Sequence, residues 1–260
     1  MRPRVLLLGL VLAGLGALAP VASAAPRSGS DGVTVEGPIG RGAGAVWIYR
    51  PAHRRATGLV IFVHGYTAIE PRSYEPWLRH LAARGNDVLY PRYQPSRTGP
   101  GLLAGLLVGV KRALLRLHAG RLPAVAIGHS MGGRLAVEYA AVAGGVGLPE
   151  PAAVWSLEPA RLGDADPRVN LGGIDPRTRI VLAVGDQDHV VGATGAHELL
   201  LRLQAARYPP SRIRVEQLRS GGGFVADHLA PLRAGAAEQR TLWSQADRLV
   251  DQVVGGGRPG

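Results

Sequence analysis

The stretch Gly128-His129-Ser130-Met131-Gly132-Gly133 decides how this chain is read. It fits the pattern G-x-S-x-G, and its flanks supply the context that the pattern requires. A short apolar segment, residues 123–127, precedes it, and a helical pattern over 134–140 follows. Strand, sharp turn and helix together force the serine into a strained turn at the edge of a sheet, with its hydroxyl presented outward. Glycines flank it because the turn brings strand and helix backbones close, where a Cβ would clash. In a chain with 37 glycines the five-residue pattern alone is weak. Its placement between strand and helix makes it specific.

Working outward, apolar runs alternate with helical patterns. Residues 33–36 and 45–49 read as early strands joined by a glycine-rich turn. The continuous run 59–63 suits a strand buried on both faces. Residues 74–84 read as a helix closing at Gly85, and 87–90 as a strand stopped by Pro91. The pattern over 102–118 is helical, apolar first and basic later. It fits a helix packed on the sheet, with an exposed lipid-contacting edge as the alternative, and its apolar part, Leu102 to Val110, is too short to span a bilayer. Strands are expected at 152–157, 179–184 and 212–216, and helices at 193–206 and 236–253. This alternation implies a mostly parallel sheet with helices on both faces. The segment between Pro159 and Thr178 is too short for a large lid domain.

The first residues carry a different signal. Arg2 and Arg4 precede an apolar run, and Ala22-Ser23-Ala24 fits a cleavage site, so residues 1–24 read as a secretory signal peptide. The expected product is secreted or periplasmic, with no stable membrane anchor. A flexible lead-in is expected over 25–32, one domain over 33–254 and a disordered tail over 255–260. The chain has no cysteine, which excludes disulfides, thiolate metal sites and a cysteine nucleophile. The formal charge of +11 includes the leader's two arginines. The remaining arginines are scattered, without a basic stripe interleaved with aromatics, so no nucleic-acid partner is expected. The histidines are not spaced as ligands, and neither metal nor cofactor is expected.

A serine hydroxyl is a poor nucleophile until a base takes its proton. With an elbow of this type the acid and then the histidine follow the serine along the chain. Gly185-Asp186-Gln187-Asp188-His189-Val190-Val191 directly follows the strand 179–184. Asp188 is the favoured acid, because two residues before a valine pair it would face the elbow. Asp186 reads as a turn residue bonding its own backbone. Three histidines lie downstream: His189 adjoins the acid, His197 falls within a helix, and His228 follows the last strand. His228, in a glycine-rich loop expected to be mobile, is the favoured base, and Asp227 is a fallback acid. An oxyanion site needs two preset N–H donors. Met131 after the serine and Tyr66 after His64-Gly65 are the candidates, while His64 and His129 read as packed residues. A neutral base implies activity rising through roughly pH 6–7.

At these residues the chain resembles the α/β-hydrolase family, and within it the bacterial cutinase and polyester-hydrolase-like group. Gly65-Tyr66-Thr67-Ala68 is similar to that group's oxyanion loop, and Gly128 to Gly133 to its elbow. Asp188 before its valine pair is similar to the acid turn, and His228-Leu229-Ala230-Pro231 to the histidine loop. The resemblance implies an α/β-hydrolase fold with nucleophile Ser130, acid Asp188, base His228 and donors Tyr66 and Met131. It implies a monomeric esterase acting on a small-molecule or polymeric ester. Two features depart from the group: Ala160 stands where a wall tryptophan is usual, and the C-terminal disulfide is missing. A general carboxylesterase is therefore expected. Serine peptidase or lipase activity, and a non-catalytic binding protein on the same fold, are the alternatives.

Overall fold

The computed structural model describes residues 27–29, 31–94, 102–117, 122–163 and 168–256. The expected leader, residues 1–24, and the last four residues of the chain lie outside the described residues. Among the described residues nine strands form one sheet: β1 (Arg27–Ser28), β2 (Val33–Ile39), β3 (Ala45–Pro51), β4 (Gly58–Val63), β5 (Asn86–Arg92), β6 (Ala124–His129), β7 (Ala153–Leu157), β8 (Arg179–Gly185) and β9 (Ile213–Leu218). Their order is β1-β2-β3-β5-β4-β6-β7-β8-β9. Neighbours from β5 to β9 pair in parallel, and β1, β2 and β3 join antiparallel at one edge.

The helices are α1 (Glu75–Ala83), α2 (Leu102–Leu117), α3 (Met131–Val142), α4 (Thr194–Ala205), α5 (Ala236–Glu238) and α6 (Ser244–Gly256), with a π-helical stretch over Gln239–Trp243 linking the last two. They cover both faces. In β4, Leu59, Ile61 and Val63 join the core shared with α2, α3 and α4, while Val60 and Phe62 join the core shared with α1 and α6. Successive side chains of a strand point to opposite faces. A strand covered twice therefore has no polar position, which is why its sequence is an unbroken apolar run. Helix α2 buries Leu102, Leu106, Val110, Ala113 and Leu117 against the sheet, so the packed reading holds. No described helix is long and apolar enough to cross a membrane.

Three boundaries differ from expectation. Strand β5 runs through Pro91 to Arg92, with Pro91 opposite Val46 of β3. The Arg92 carbonyl accepts from Gly44 N–H on the β3 side. Backbone alternation then turns the Pro91 nitrogen the other way, where pairing with β4 has already ended at Leu89. A proline that lacks a ladder partner on that side does not end the strand. Within the expected lead-in, Arg27 and Ser28 pair with Val35 and Thr34. Within the expected tail, Gly255 and Gly256 continue α6. Between β7 and β8 the described residues hold only a short 3₁₀ turn, Leu171–Gly173, and no lid domain.

Candidate active site

Ser130, Asp188 and His228 follow the carboxyl ends of β6, β8 and β9, the edge where open parallel sheets place their ligands. Ser130 has φ 57° and ψ −122°, a conformation that costs a non-glycine residue on the order of 1–3 kcal/mol. Neighbouring backbone holds it there. Its N–H donates to Leu157 O at 2.9 Å, and its carbonyl accepts from Gly133 at 2.9 Å and Ala160 at 3.0 Å. Gly132 is obligatory, since a Cβ there would collide with the carbonyl oxygens of Val63 and His64.

The sequence-derived trio meets through hydrogen bonds. His228 Nε2 lies 3.0 Å from Ser130 Oγ, and His228 Nδ1 lies 2.9 Å from Asp188 Oδ2. Asp188 Oδ1 accepts from the N–H groups of Val190 at 2.8 Å and Val191 at 3.1 Å. Burial alone raises the Asp188 carboxyl. The bonds from His228 and from the Val191 and Val190 N–H groups outweigh it and hold the group below the ordinary carboxylate range. The carboxylate is thus fixed, charged and aimed at one imidazole.

The rejected candidates occupy other places. His189 and His197 are exposed, the latter in α4. Asp227 pairs with Arg233 at 2.9 Å and caps Leu229 N–H, away from the imidazole. Asp186 accepts from the Ser220 hydroxyl at 2.6 Å and the Ser220 N–H at 3.0 Å, so besides its own backbone N–H it ties a second loop. Ser220 Oγ in turn accepts from Ala226 N–H, while the Ala226 carbonyl accepts from Gln187 N–H. With Phe224 buried as well, the histidine loop that was expected to be mobile is tied at several points.

The Tyr66 loop is held from β5. Tyr90 Oη donates to Ala68 O at 2.5 Å, Arg92 Nε to Ile69 O at 3.1 Å and Tyr93 Oη to His64 O at 2.7 Å. Buried Gln94 accepts from Thr67 N–H at 2.9 Å, where Thr67 has φ 66°. Among the described residues no hydrogen bond uses the Tyr66 or Met131 N–H.

Two packed histidines lie beneath. His64 stacks on Tyr93 with ring centroids 4.1 Å apart, and burial pushes it down to about 4. Tyr74 Oη accepts from Gly65 N–H at 3.0 Å and contacts His129 Nδ1 at 2.7 Å. The hydroxyl proton is left for Nδ1, so His129 carries its own proton on Nε2. Burial, then the neighbouring His228, lowers His129 to about 3, so the ring is neutral.

Sequence reasoning passed over Glu158. It follows β7 as Ser130 follows β6, is wholly buried, and has φ 44°. An acid ending an apolar strand on the same edge was the available signal. His129, Glu158 and His228 offer ligand-type atoms within 4.8 Å of one another, a proximity that sequence spacing had hidden. Both nitrogens of His228 are already bonded, and His129 uses one nitrogen for Tyr74 and the other for a proton. The cluster reads as a proton-bearing array and not as a metal centre.

No family model matches the chain, and no curated protein matches it. Solved structures do. Esterase B from Lactobacillus rhamnosis, inhibited by a C4-C4 SN3 tributyrin phosphonate, is similar with a TM-score of 0.67 and 17% identity, over 90% of this chain and 89% of that one. MGS-M1, an α/β hydrolase enzyme from a Medee basin deep-sea metagenome library, gives 0.59 and 18%, over 86% and 93%. An esterase of the bacterial hormone-sensitive lipase family gives 0.61 and 16%, over 88% and 87%. At such identities the common property is the fold. The chain has the α/β-hydrolase fold.

Proposed function

We propose that this protein is a serine hydrolase of carboxylic esters, with Ser130 as nucleophile, His228 as general base and Asp188 as the orienting carboxylate. The observation that carries the reading is the pair of bonds, 3.0 Å and 2.9 Å, running from Ser130 through His228 to Asp188 on a strained elbow. As Ser130 Oγ attacks the ester carbonyl carbon, its proton passes to His228 Nε2. The carbonyl oxygen takes the negative charge and is held by the Tyr66 and Met131 N–H groups. The tetrahedral intermediate collapses, the bond to the alcohol oxygen breaks, and His228 gives that oxygen its proton. Water then repeats the sequence on the acyl-enzyme and releases the acid.

The esterase character of the similar structures supports esters as the substrate class. So does the exposure of Val190, Val225 and Leu229, apolar residues within three positions of Asp188 or His228 in the chain. The finer likeness to cutinase and polyester-hydrolase-like enzymes rests on the four motif stretches alone. With Ala160 at the wall position, we favour a general carboxylesterase. The leader signal supports export with cleavage after Ala24, which N-terminal sequencing of protein recovered outside the cytoplasm tests.

A fluorophosphonate probe tests the chemistry. Covalent labelling and p-nitrophenyl ester hydrolysis are expected in the native protein. Ser130→Ala is expected to abolish the label and to lower turnover on the order of 10⁴–10⁶-fold. An unlabelled folded protein refutes the reading. A parallel panel of triglyceride, polyester and peptide substrates separates esterase from lipase, polyesterase and peptidase.

A further inference from the structure

Glu158 has no part in the reaction as written, yet it lies against its base. Neither carboxyl oxygen has a hydrogen-bond partner among the described residues. Oε2 is 3.6 Å from His129 Nε2 and 3.7 Å from His228 Nδ1, the nitrogen that also faces Asp188. The backbone is fixed despite its positive φ, because Glu158 N–H donates to Ala183 O at 2.7 Å. A buried carboxyl without a bonded partner is costly, and it persists only where its surroundings over-determine it.

The groups around it come from five elements. His129 faces it from the end of β6, Tyr74 from ahead of α1, and Asp188 from the β8 turn. Asp227 and His228 belong to the loop after β9, and Arg233 to the segment that follows it. Arg233 is the one permanent cation in this set, and it is already paired with Asp227 and Glu238. Its pull on the Glu158 carboxyl is downward but is the weakest of the effects acting there. Burial, followed by the charges of Asp188 and Asp227, pushes the Glu158 carboxyl up to about 9.

We propose that Glu158 is a positioning residue of this site, a second carboxyl that backs His228 from its Nδ1 side and, when ionised in alkaline solution, joins Asp188 in stabilising the imidazolium. The inference rests on the reading of Ser130 and His228 as nucleophile and base. Below its titration the neutral acid only packs against the ring. Above it, hydroxide has removed the carboxyl proton, and a second negative charge stands 3.7 Å from the nitrogen of a ring that gains a positive charge in the transition state. In a site sheltered from water such a charge strengthens the base.

The test is the rate of fluorophosphonate inactivation between pH 6 and pH 10.5, corrected with Ser130→Ala for non-specific reaction. The native protein is expected to show a second rise of about three- to ten-fold centred near pH 9, which is absent in Glu158→Gln. A rise that persists in Glu158→Gln overturns the proposal, as does a flat native profile above pH 8. A native protein that labels with a flat profile sinks this inference alone, whereas one that never labels sinks the catalytic reading beneath it. Should Glu158→Gln fail to fold, infrared spectroscopy of the native protein decides. Loss of a buried protonated-carboxyl band over the interval of the rate increase supports the role, and its absence overturns it.

Discussion

Replacing Glu158 by glutamine is expected to stabilise the protein increasingly as pH rises. In the unfolded chain the carboxyl titrates at its ordinary value of 4.5, and in the fold at about 9. Between those values the unfolded state gives up a proton that the folded state keeps. The contribution is therefore fully present below pH 4.5, declines as pH climbs and levels off above 9. The slope is about 1.4 kcal/mol per pH unit. From pH 5.5 to pH 8 the native protein should lose about 3 kcal/mol through this one group. Glutamine does not titrate. Its buried amide adds only an offset that is constant with pH. Urea unfolding of both proteins at the two pH values measures the change in their difference, in which titrations common to both cancel. For a domain of this size the same change amounts to roughly 6–12 °C in Tm. A stability difference constant to within about 0.5 kcal/mol across the range would refute the neutral, buried state of Glu158.

Other outcomes follow from the same contacts. Tyr74→Phe removes the hydroxyl that receives Gly65 N–H and donates to His129 Nδ1. It should cost about 1–3 kcal/mol in urea unfolding and lower kcat for a p-nitrophenyl ester by roughly ten-fold or more. His64 and His129 are depressed to about 4 and about 3, so their contribution is complete above the unfolded value of 6.5 and is lost as pH falls through that value. At pH 5 each should cost about 2 kcal/mol, and His64→Gln should flatten this acid limb in denaturant titrations. Gly132→Ala should yield little folded protein, because the new Cβ meets two carbonyl oxygens at the base of the elbow. Soluble expression at native levels with an unchanged Tm would show that α3 can move away.

Much of the fold was legible because burial leaves a direct mark on sequence. The strands covered on both faces, β4 and β6, are short apolar runs, and each is followed by a loop that carries a site residue. That adjacency brought out Tyr66 and Ser130, whereas Asp188 was told from Asp186 by its place two residues before a valine pair. What sequence pattern omits is three-dimensional. Pro91 is usually a strand terminator, and only the end of β4 beside it shows why β5 continues. Glu158 occupies an ordinary position after a strand until β6, β8 and the loop after β9 close around it. The nearness of His129 to His228, with ring centroids 4.8 Å apart, joins residues 99 positions apart in the chain and leaves no periodic trace.

Strain and unsatisfied polarity coincide on one edge of this sheet. Of the four described non-glycine residues with positive φ, Thr67, Ser130 and Glu158 follow β4, β6 and β7 at their carboxyl ends, and only Arg207 lies elsewhere. Among the described residues, His64 Nε2, His129 Nε2 and both oxygens of Glu158 are buried in the same region without a hydrogen-bond partner, as are the indole nitrogens of Trp77 and Trp243 elsewhere. Each feature opposes folding, and the two apolar layers beneath offset them. A scaffold that only bound a partner through its surface would gain nothing from such an arrangement. A site that holds a serine oxygen, an imidazole and two N–H donors at fixed separations does require backbone locked in unfavourable conformations. If the buried acid serves His228, Glu158→Gln gains stability relative to the native protein as pH climbs to about 9, and it loses the alkaline rise in reactivity. The stability difference should stop growing, and the lost rise in reactivity should be centred, at the same pH of about 9, because a single carboxyl governs both.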